Sequence, residues 1–368
     1  MANKWMTQLT RDFGAVASSL PEPTDSVIVM PSPSLNWAIG NGGLIEGKAI
    51  CFFGPESGGK SLLMQLAIIE IQRKHKDAIG VLFDAEFSFN KAWFRKLGGD
   101  LDRLYVRQTN DPLQIFDYMY GEMLTMIQDG CPIKAVAIDS VKSIKYPKDN
   151  KKQSTDQTMG GGGAPYLGSA LKSVTPVIRQ NGITCLLVQQ VNEEMDPMKK
   201  LRNPYIIPDG RALKHFCDYM AQVEKLDTKA GVVEAGENIY GGASQVGHKV
   251  RIKFKKNRCA APSRSAQFTL NYDKGIVDIE NEIFDLAKSL GVVCHPINPV
   301  SGKENVQMWA FGDMEPVRGE DNMRALVAGN TALQKEIMDA CNEANDYAVD
   351  ARNESMSVAD VADEDGDL

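Results

Sequence analysis

The chain has 368 residues, 43% hydrophobic and 24% charged, with a net charge of −7. That balance belongs to a globular protein with one large domain and one or two smaller ones, and it excludes a disordered or fibrous chain. Seven cysteines, at 51, 131, 185, 217, 259, 294 and 341, form no CxxC pair, so reduced thiols are expected rather than a disulfide framework or a zinc site.

Residues 1–14 predict a short amphipathic helix without the apolar h-region of a secretory signal. No apolar run reaches the roughly eighteen residues of a membrane span, so a soluble, cytoplasmic protein is expected. Pro21, Pro23, Pro31 and Pro33 exclude a long helix over 15–33 and leave a linker with one apolar strand, Val27–Met30. AICFFG (49–54) predicts a buried strand, and the loop after it leads into a helix at SLLMQLAIIEIQRKH. IGVLFDAE (79–86) is a strand, PLQIFDYMYGEMLTMIQDG a helix with Gly130 as its C-cap, and IKAVAIDS (133–140) and ITCLLVQQV (183–191) are strands. Near-continuous apolar strands alternating with helices predict an α/β fold with a parallel sheet covered on both faces. KVRIKFKKN, AQFTLNY and MAQVEKL predict later, antiparallel strands. Beyond Tyr272, two helical stretches flank a hairpin-like GKENVQMWAF, a small α/β unit. The expected division is 1–33, 34–272, 273–342 and a disordered tail, 343–368. That tail holds nine acids and one base, which leaves the rest of the chain near +1 and able to hold a polyanion locally.

Two segments break the strand–helix rhythm, about 145–165 and 192–211. Both are polar and rich in Gly or Pro, and both leave the carboxyl ends of predicted parallel strands, where open α/β sheets bind ligands.

The sharpest motif is GPESGGKS, which fits G-x-x-x-x-G-K-[ST] between a strand and a helix. Gly54, Pro55, Glu56, Ser57, Gly58 and Gly59 would turn backbone N–H groups inward onto phosphate. Lys60 would reach the β and γ phosphates of ATP, and Ser61 would hold Mg²⁺. Asp139, at the tip of VAIDS, is placed for the second Mg²⁺ contact. DAE (84–86) offers a base to orient the attacking water, with Glu86 and Asp84 nearly tied. Gln189 and Gln190 end a strand and could bond the γ-phosphate. Lys148, Lys151 and Lys152 in the first long segment, and Lys199, Lys200, Arg202 and Arg211 in the second, are cations of the kind that bind nucleic-acid backbones. The glycines at 160–163 allow close backbone approach, and Tyr166 and Tyr205 are candidates for base stacking. KFKKNR (253–258) is either a solvated edge or a set of cations aimed at a neighbour's phosphate.

These motifs, in this order, resemble the bacterial RecA family of DNA recombinases. The resemblance runs from about Phe13 to about Cys341 and rests on GPESGGKS, DAE followed by WFRKLG (93–98), VAIDS, LLVQQV, RALKHF (211–216) and KKNRCAAP (255–262). It implies a RecA-like P-loop ATPase core with a mostly parallel central sheet, a short N-terminal helix and strand that dock on the next subunit, and a small α/β C-terminal domain. It implies ATP and Mg²⁺, filaments on single-stranded DNA, pairing with double-stranded DNA, strand exchange, and single-strand-binding or mediator proteins as further partners. Position by position, it makes Glu86 the residue that activates water, Trp93 the ring on adenine, Asp139 the acid of the second nucleotide motif and Gln190 the γ-phosphate sensor. Lys256 and Arg258 become cations that cross to the neighbour's ATP. The stretch around Met159, with Gly160 and Gly161, matches the first DNA-binding loop. The second is 192–211, with Lys199, Lys200, Arg202, Gly210 and Arg211. The acidic tail matches a regulatory feature of the family.

The chain departs from the pattern at Gly58 and Ser61, where the family carries Ser and Thr, at Asp209-Gly210-Arg211 in place of Gly-Gly-Asn, and at Arg258 in place of Lys. The run of four glycines in the first loop displaces the family's arginine there. Phage-encoded relatives of this family exist, and the divergent loops fit such a member. A ring helicase on the same core, or a nucleotide-gated scaffold without strand exchange, are the alternatives. The former needs an extra N-terminal domain that 33 residues do not supply.

Overall fold

The computed structural model describes residues 11, 26–146, 163–202, 204–208, 210–226, 231–237, 243–261, 263–297 and 302–355. Apart from Arg11, the helix expected over 1–14 lies outside them. The apolar strand after it, β1 (Val27–Ile28), pairs antiparallel within its own chain with β2 (Leu44–Ile45). Ile28 and Met30 are buried. This pairing uses one edge of β1, and Val29 just beyond it is exposed. Helix α1 (Pro33–Ile39) follows, with the Ser32 hydroxyl accepting the Leu35 N–H at 3.1 Å and proline in its first turn.

The main sheet begins with β3 (Ala49–Gly54), which leads into α2 (Lys60–Lys74). Then come β4 (Ile79–Asp84), the short α3 (Lys91–Lys96) and β5 (Leu104–Arg107). The helix expected next is broken. A π-helical turn, Leu113–Asp117, runs into α4 (Tyr118–Tyr120), and Gly121 interrupts the path to α5 (Glu122–Gln128). Strand β6 (Ile133–Asp139), helix α6 (Gly163–Gln180) and strand β7 (Thr184–Gln190) complete the repeats. The second long segment is ordered into a ribbon: β8 (Asn192–Glu193) pairs with β9 (Tyr205–Ile206), and α7 (Pro197–Arg202) lies between them. Helix α8 (Gly210–Phe216) leads to β10 (Tyr219–Lys225), β11 (Val232–Glu237), β12 (Ala243–Asn257), β13 (Ser265–Asn271) and β14 (Gly275–Val277).

Strand order is β14-β13-β12-β10-β3-β7-β6-β4-β5, with β11 on β12. From β10 to β5 every neighbouring pair is parallel, and from β10 to β14 every pair is antiparallel. MAQVEKL, expected to be antiparallel, is therefore the hinge between the two halves: β10 is parallel to β3 and antiparallel to β12. Edge strand β5 carries no uniform apolar run, Tyr105 and Val106 being exposed, which is why the sequence pattern passes over it. The sheet is covered on both faces by separate apolar clusters, one centred on α2 and Phe52, the other on α6 and Phe53. Cys51, Cys185 and Cys217 sit in the second cluster, and all described cysteines are free thiols.

The C-terminal segment builds a third cluster, around Phe284, Trp309, Met323 and Ile337. It consists of α9 (Ile279–Ser289), the strands β15 (Val293–Cys294), β16 (Met308–Phe311) and β17 (Val317–Arg318), and the helices α10 (Glu320–Ala328) and α11 (Thr331–Ser355). α11 runs on to Ser355, into the stretch read as tail; its Ala, Glu and Arg residues sustain a helix. Residues 356–368 lie outside the described residues. At the joint to the core Trp37 packs against both clusters, and Glu282 Oε1 on α9 accepts the Ser32 hydroxyl at 2.5 Å and the Ser34 N–H at 2.7 Å. Among the described residues no helix is long and apolar enough to cross a membrane.

Candidate active site

Four adjacent parallel strands bring the motifs together. The register sets Gly54 beside Gln190 and Asp84 beside Asp139, so the carboxyl ends of β3, β7, β6 and β4 form one edge. Sequence separation of more than a hundred residues is thereby reduced to neighbouring strand tips, the position where parallel α/β sheets hold ligands.

The phosphate loop is shaped by its glycines. Gly54 has φ 153° and lies so close to β10 that a Cβ there would stand 2.1 Å from the Val223 carbonyl oxygen. Gly59 caps α2 from the left-handed region at φ 97°. Glu56 and Ser57 are exposed and Pro55 half-buried, whereas Gly58 is buried. Lys60 is buried, and its ammonium donates to the Pro55 carbonyl of its own loop. Burial holds its pKa below the ordinary lysine value, while Asp139, Glu86 and Glu56 oppose that fall. The loop thus presents a desolvated cation at the N-terminus of a helix, the arrangement that favours a phosphate.

Asp139 is nearly inaccessible, hydrogen-bonds Ser61, and has its Oδ1 without a partner. Burial, with Glu86 and Asp84 close by, pushes its carboxyl up to about 6 although Ser61 pulls it down. A buried, under-satisfied carboxylate beside a hydroxyl fits Mg²⁺.

The near tie between Asp84 and Glu86 has a structural counterpart. Asp84 is fully engaged: it accepts the N–H groups of Ser88 and Phe89 and the Gln108 amide, each at 3.0 Å. It closes the turn after β4. Glu86 is half-buried, its Oε1 accepting the Gln190 amide at 2.8 Å and the Ser140 hydroxyl. Gln189 points elsewhere, donating to the Pro208 carbonyl at 2.8 Å and so pinning the end of the second long segment. Trp93 is half-buried on α3 against the core, its backbone N–H donating to the Asn90 side chain that caps the helix at 3.1 Å.

Lys256 and Arg258 lie elsewhere. Met220 pairs with Lys256 on one side and with Cys51 on the other. Lys256 is therefore level with Cys51, three residues back along β3 from Gly54, about 10 Å toward the opposite end of the sheet. Its ammonium donates to the Lys214 carbonyl and to that of Cys217 at 2.7 Å, at the C-terminus of α8. Burial and the neighbouring Arg258 lower its pKa. Arg258 is exposed. Neither residue joins the phosphate site of its own chain.

Of the expected nucleic-acid contacts, Met159, Gly160 and Gly161 lie outside the described residues. Lys199 and Lys200 are exposed on α7, Lys200 pairing with Glu193 at 3.2 Å. Arg202 ends α7, and Gly210 and Arg211 open α8. Tyr166 is half-buried and packs on Tyr146 with centroids 5.5 Å apart. Tyr205 is half-buried in β9. Aliphatic side chains share this exposed surface with the lysines: Met195, Met198, Leu201 and Ile206 are open to solvent. Sequence reasoning passed over Ser140 and Ser143, although Ser140 adjoins Asp139 directly.

A family model described as the RecA N-terminal domain matches residues 3–277. The chain is 28% identical over 336 residues to protein RecA of Bifidobacterium breve, covering 90% of this chain and 78% of that protein. It is 27% identical over 338 residues to protein RecA of Mesomycoplasma hyopneumoniae (strain 7448), covering 91% of each. It is 27% identical over 333 residues to protein RecA of Porphyromonas gingivalis (strain W83), covering 90% of this chain and 89% of that protein. With a phosphate loop, a paired acid and a glutamine on adjoining strand tips and a family match over three quarters of its length, the chain belongs to the RecA family of ATP-dependent recombination proteins.

Proposed function

We propose that Glu86, Lys60 and Gln190 carry out ATP hydrolysis at the edge formed by β3, β7, β6 and β4, and that this DNA-dependent ATPase drives homologous pairing and strand exchange. The observation that carries the reading is the convergence of four motif-bearing strand tips on one edge. The main-chain N–H groups of residues 54–59 bind phosphate, and Lys60 leaves the Pro55 carbonyl for it. Ser61 and Asp139 would hold Mg²⁺, which would supply positive charge to the phosphates. Glu86 orients a water for in-line attack and takes its proton. Trp93 covers the base. Gln190, bonded to Glu86 when no γ-phosphate competes, transfers its amide to that phosphate and carries the change into the ribbon β8–β9.

The position of Lys256 and Arg258 supports a shared site. Cations at the far end of the sheet reach a phosphate only on another copy, and a contact that joins unlike surfaces without closing builds a helix. DNA lies along the two long segments, with Lys199, Lys200, Arg202, Gly210 and Arg211 on its backbone. Residues 1–33, 34–272, 273–342 and 343–368 act as polymerisation segment, ATPase core, C-terminal domain and regulatory acidic tail. The cytoplasm is the expected setting, and single-strand-binding and mediator proteins are the further partners of such a filament. Phosphate release measured with and without single-stranded DNA, followed by a strand-exchange assay, tests the whole reading. Hydrolysis indifferent to DNA, or closed rings in electron micrographs, would overturn it.

A further inference from the structure

Two serines lie beside Glu86 at the end of β6. Ser140 is fully buried at the end of β6, and its hydroxyl donates to Glu86 Oε1. A serine hydroxyl has one proton to give. With that proton on Glu86, the 3.0 Å contact between the Ser140 and Ser143 hydroxyls must be a donation from Ser143 to Ser140. The result is a directed chain, Ser143 to Ser140 to Glu86. Ser143 itself stands 3.5 Å from Glu86 Oε1, too far for a good direct bond.

Among the described residues every hydrogen bond to Glu86 ends on Oε1. A carboxylate whose donors crowd one oxygen keeps the other for water. The serines are rigidly seated. They bracket the 3-10 turn Val141–Ser143, which is closed by the Ser143 N–H on the Ser140 carbonyl at 3.1 Å, with Val141 and Ile144 buried beneath it. Lys142 of the same turn donates to Asn192 Oδ1 at 3.0 Å, tying it to the start of the ribbon that follows Gln190.

We propose that Ser140 and Ser143 are positioning residues for Glu86: a hydroxyl chain that holds Oε1 so that Oε2 faces the attacking water. The inference rests on the reading of Glu86 as the residue that activates water. The test is single-turnover and steady-state hydrolysis with single-stranded DNA present, alongside nucleotide affinity from a fluorescent analogue. Ser140→Ala lowers kcat about tenfold, the scale of a lost hydrogen bond to a charged group. Nucleotide affinity stays within about twofold, since neither serine touches the phosphate loop. Ser143→Ala lowers kcat about threefold, and Ser143→Thr restores it. Because Ser143 acts only through Ser140, the double variant is no slower than Ser140→Ala.

A normal kcat in Ser140→Ala, or losses that add in full, overturns the inference. Ser143, half-buried on the turn, keeps the test valid if Ser140→Ala fails to fold: a Ser143→Ala loss that Ser143→Thr does not rescue counts against it. Glu86→Gln separates the two readings. If it still turns over, the assignment of Glu86 fails; if it is inactive while Ser140→Ala is normal, only the serine inference fails.

Discussion

Glu282 should make this protein less stable as pH rises. It lies 5% exposed at the joint between α1 and α9, and its carboxyl is pushed up to about 7. Burial is the main cause, opposed by the Ser32 and Ser34 hydrogen bonds and reinforced by Asp278. Oε1 has its donors, but Oε2 is buried without one. The native state therefore binds this proton more tightly than the unfolded chain, whose glutamate titrates near 4.5. Between those values the native form holds more protons, so stability falls as pH rises through the interval and levels off above it. A shift from about 4.5 to about 7 corresponds to roughly 3 kcal/mol. Glu282→Gln keeps an oxygen for Ser32 and Ser34 and removes the ionisation. At pH 8 the variant should melt about 4 °C above the parent, and at pH 5 the two should nearly coincide. Thermal unfolding followed by circular dichroism across pH 5–8 measures both. A difference that is constant with pH, or a variant less stable at pH 8, refutes the account of a buried carboxylate forced to ionise.

Other outcomes follow from the site. Gly54→Ala sets a Cβ against the Val223 carbonyl at 2.1 Å, and β3 and β10 must separate; a loss of more than about 2 kcal/mol and of nucleotide binding is expected, read by thermal melting and analogue fluorescence. Asp84→Asn gives up charge-assisted acceptance from two turn N–H groups and lowers stability by about 1–3 kcal/mol, with turnover falling only as the turn loosens. Glu86→Gln and Lys256→Ala each abolish DNA-stimulated hydrolysis, and Glu86→Gln still assembles on DNA in electron micrographs. Mixing those two variants restores on the order of a quarter of the sites, because a random filament pairs an intact Glu86 with an intact Lys256 at that frequency. No recovery on mixing would place both residues in one protomer's site.

Much of this was legible along the chain. Apolar runs at 49–54, 79–84, 133–139 and 184–190 follow from strands buried on both faces, and GPESGGKS follows from what a backbone needs in order to wrap phosphate. These are local properties, set within eight or ten residues, and the sequence determines them by itself. Tertiary structure decided what depends on register and direction. It engaged both oxygens of Asp84 in a turn and put Oε1 of Glu86 beside Gln190, a distinction invisible in DAE because the two acids are only two residues apart at the end of one predicted strand. It turned Gln189 to Pro208 and Gln190 to Glu86, since successive residues of a strand face opposite ways. It ran β10 parallel to β3 and β12 antiparallel to β10, which carries KFKKNR to the end of the sheet away from the phosphate loop. Pairing partners are chosen by which apolar faces meet across the core, and no local pattern in the chain contains that information.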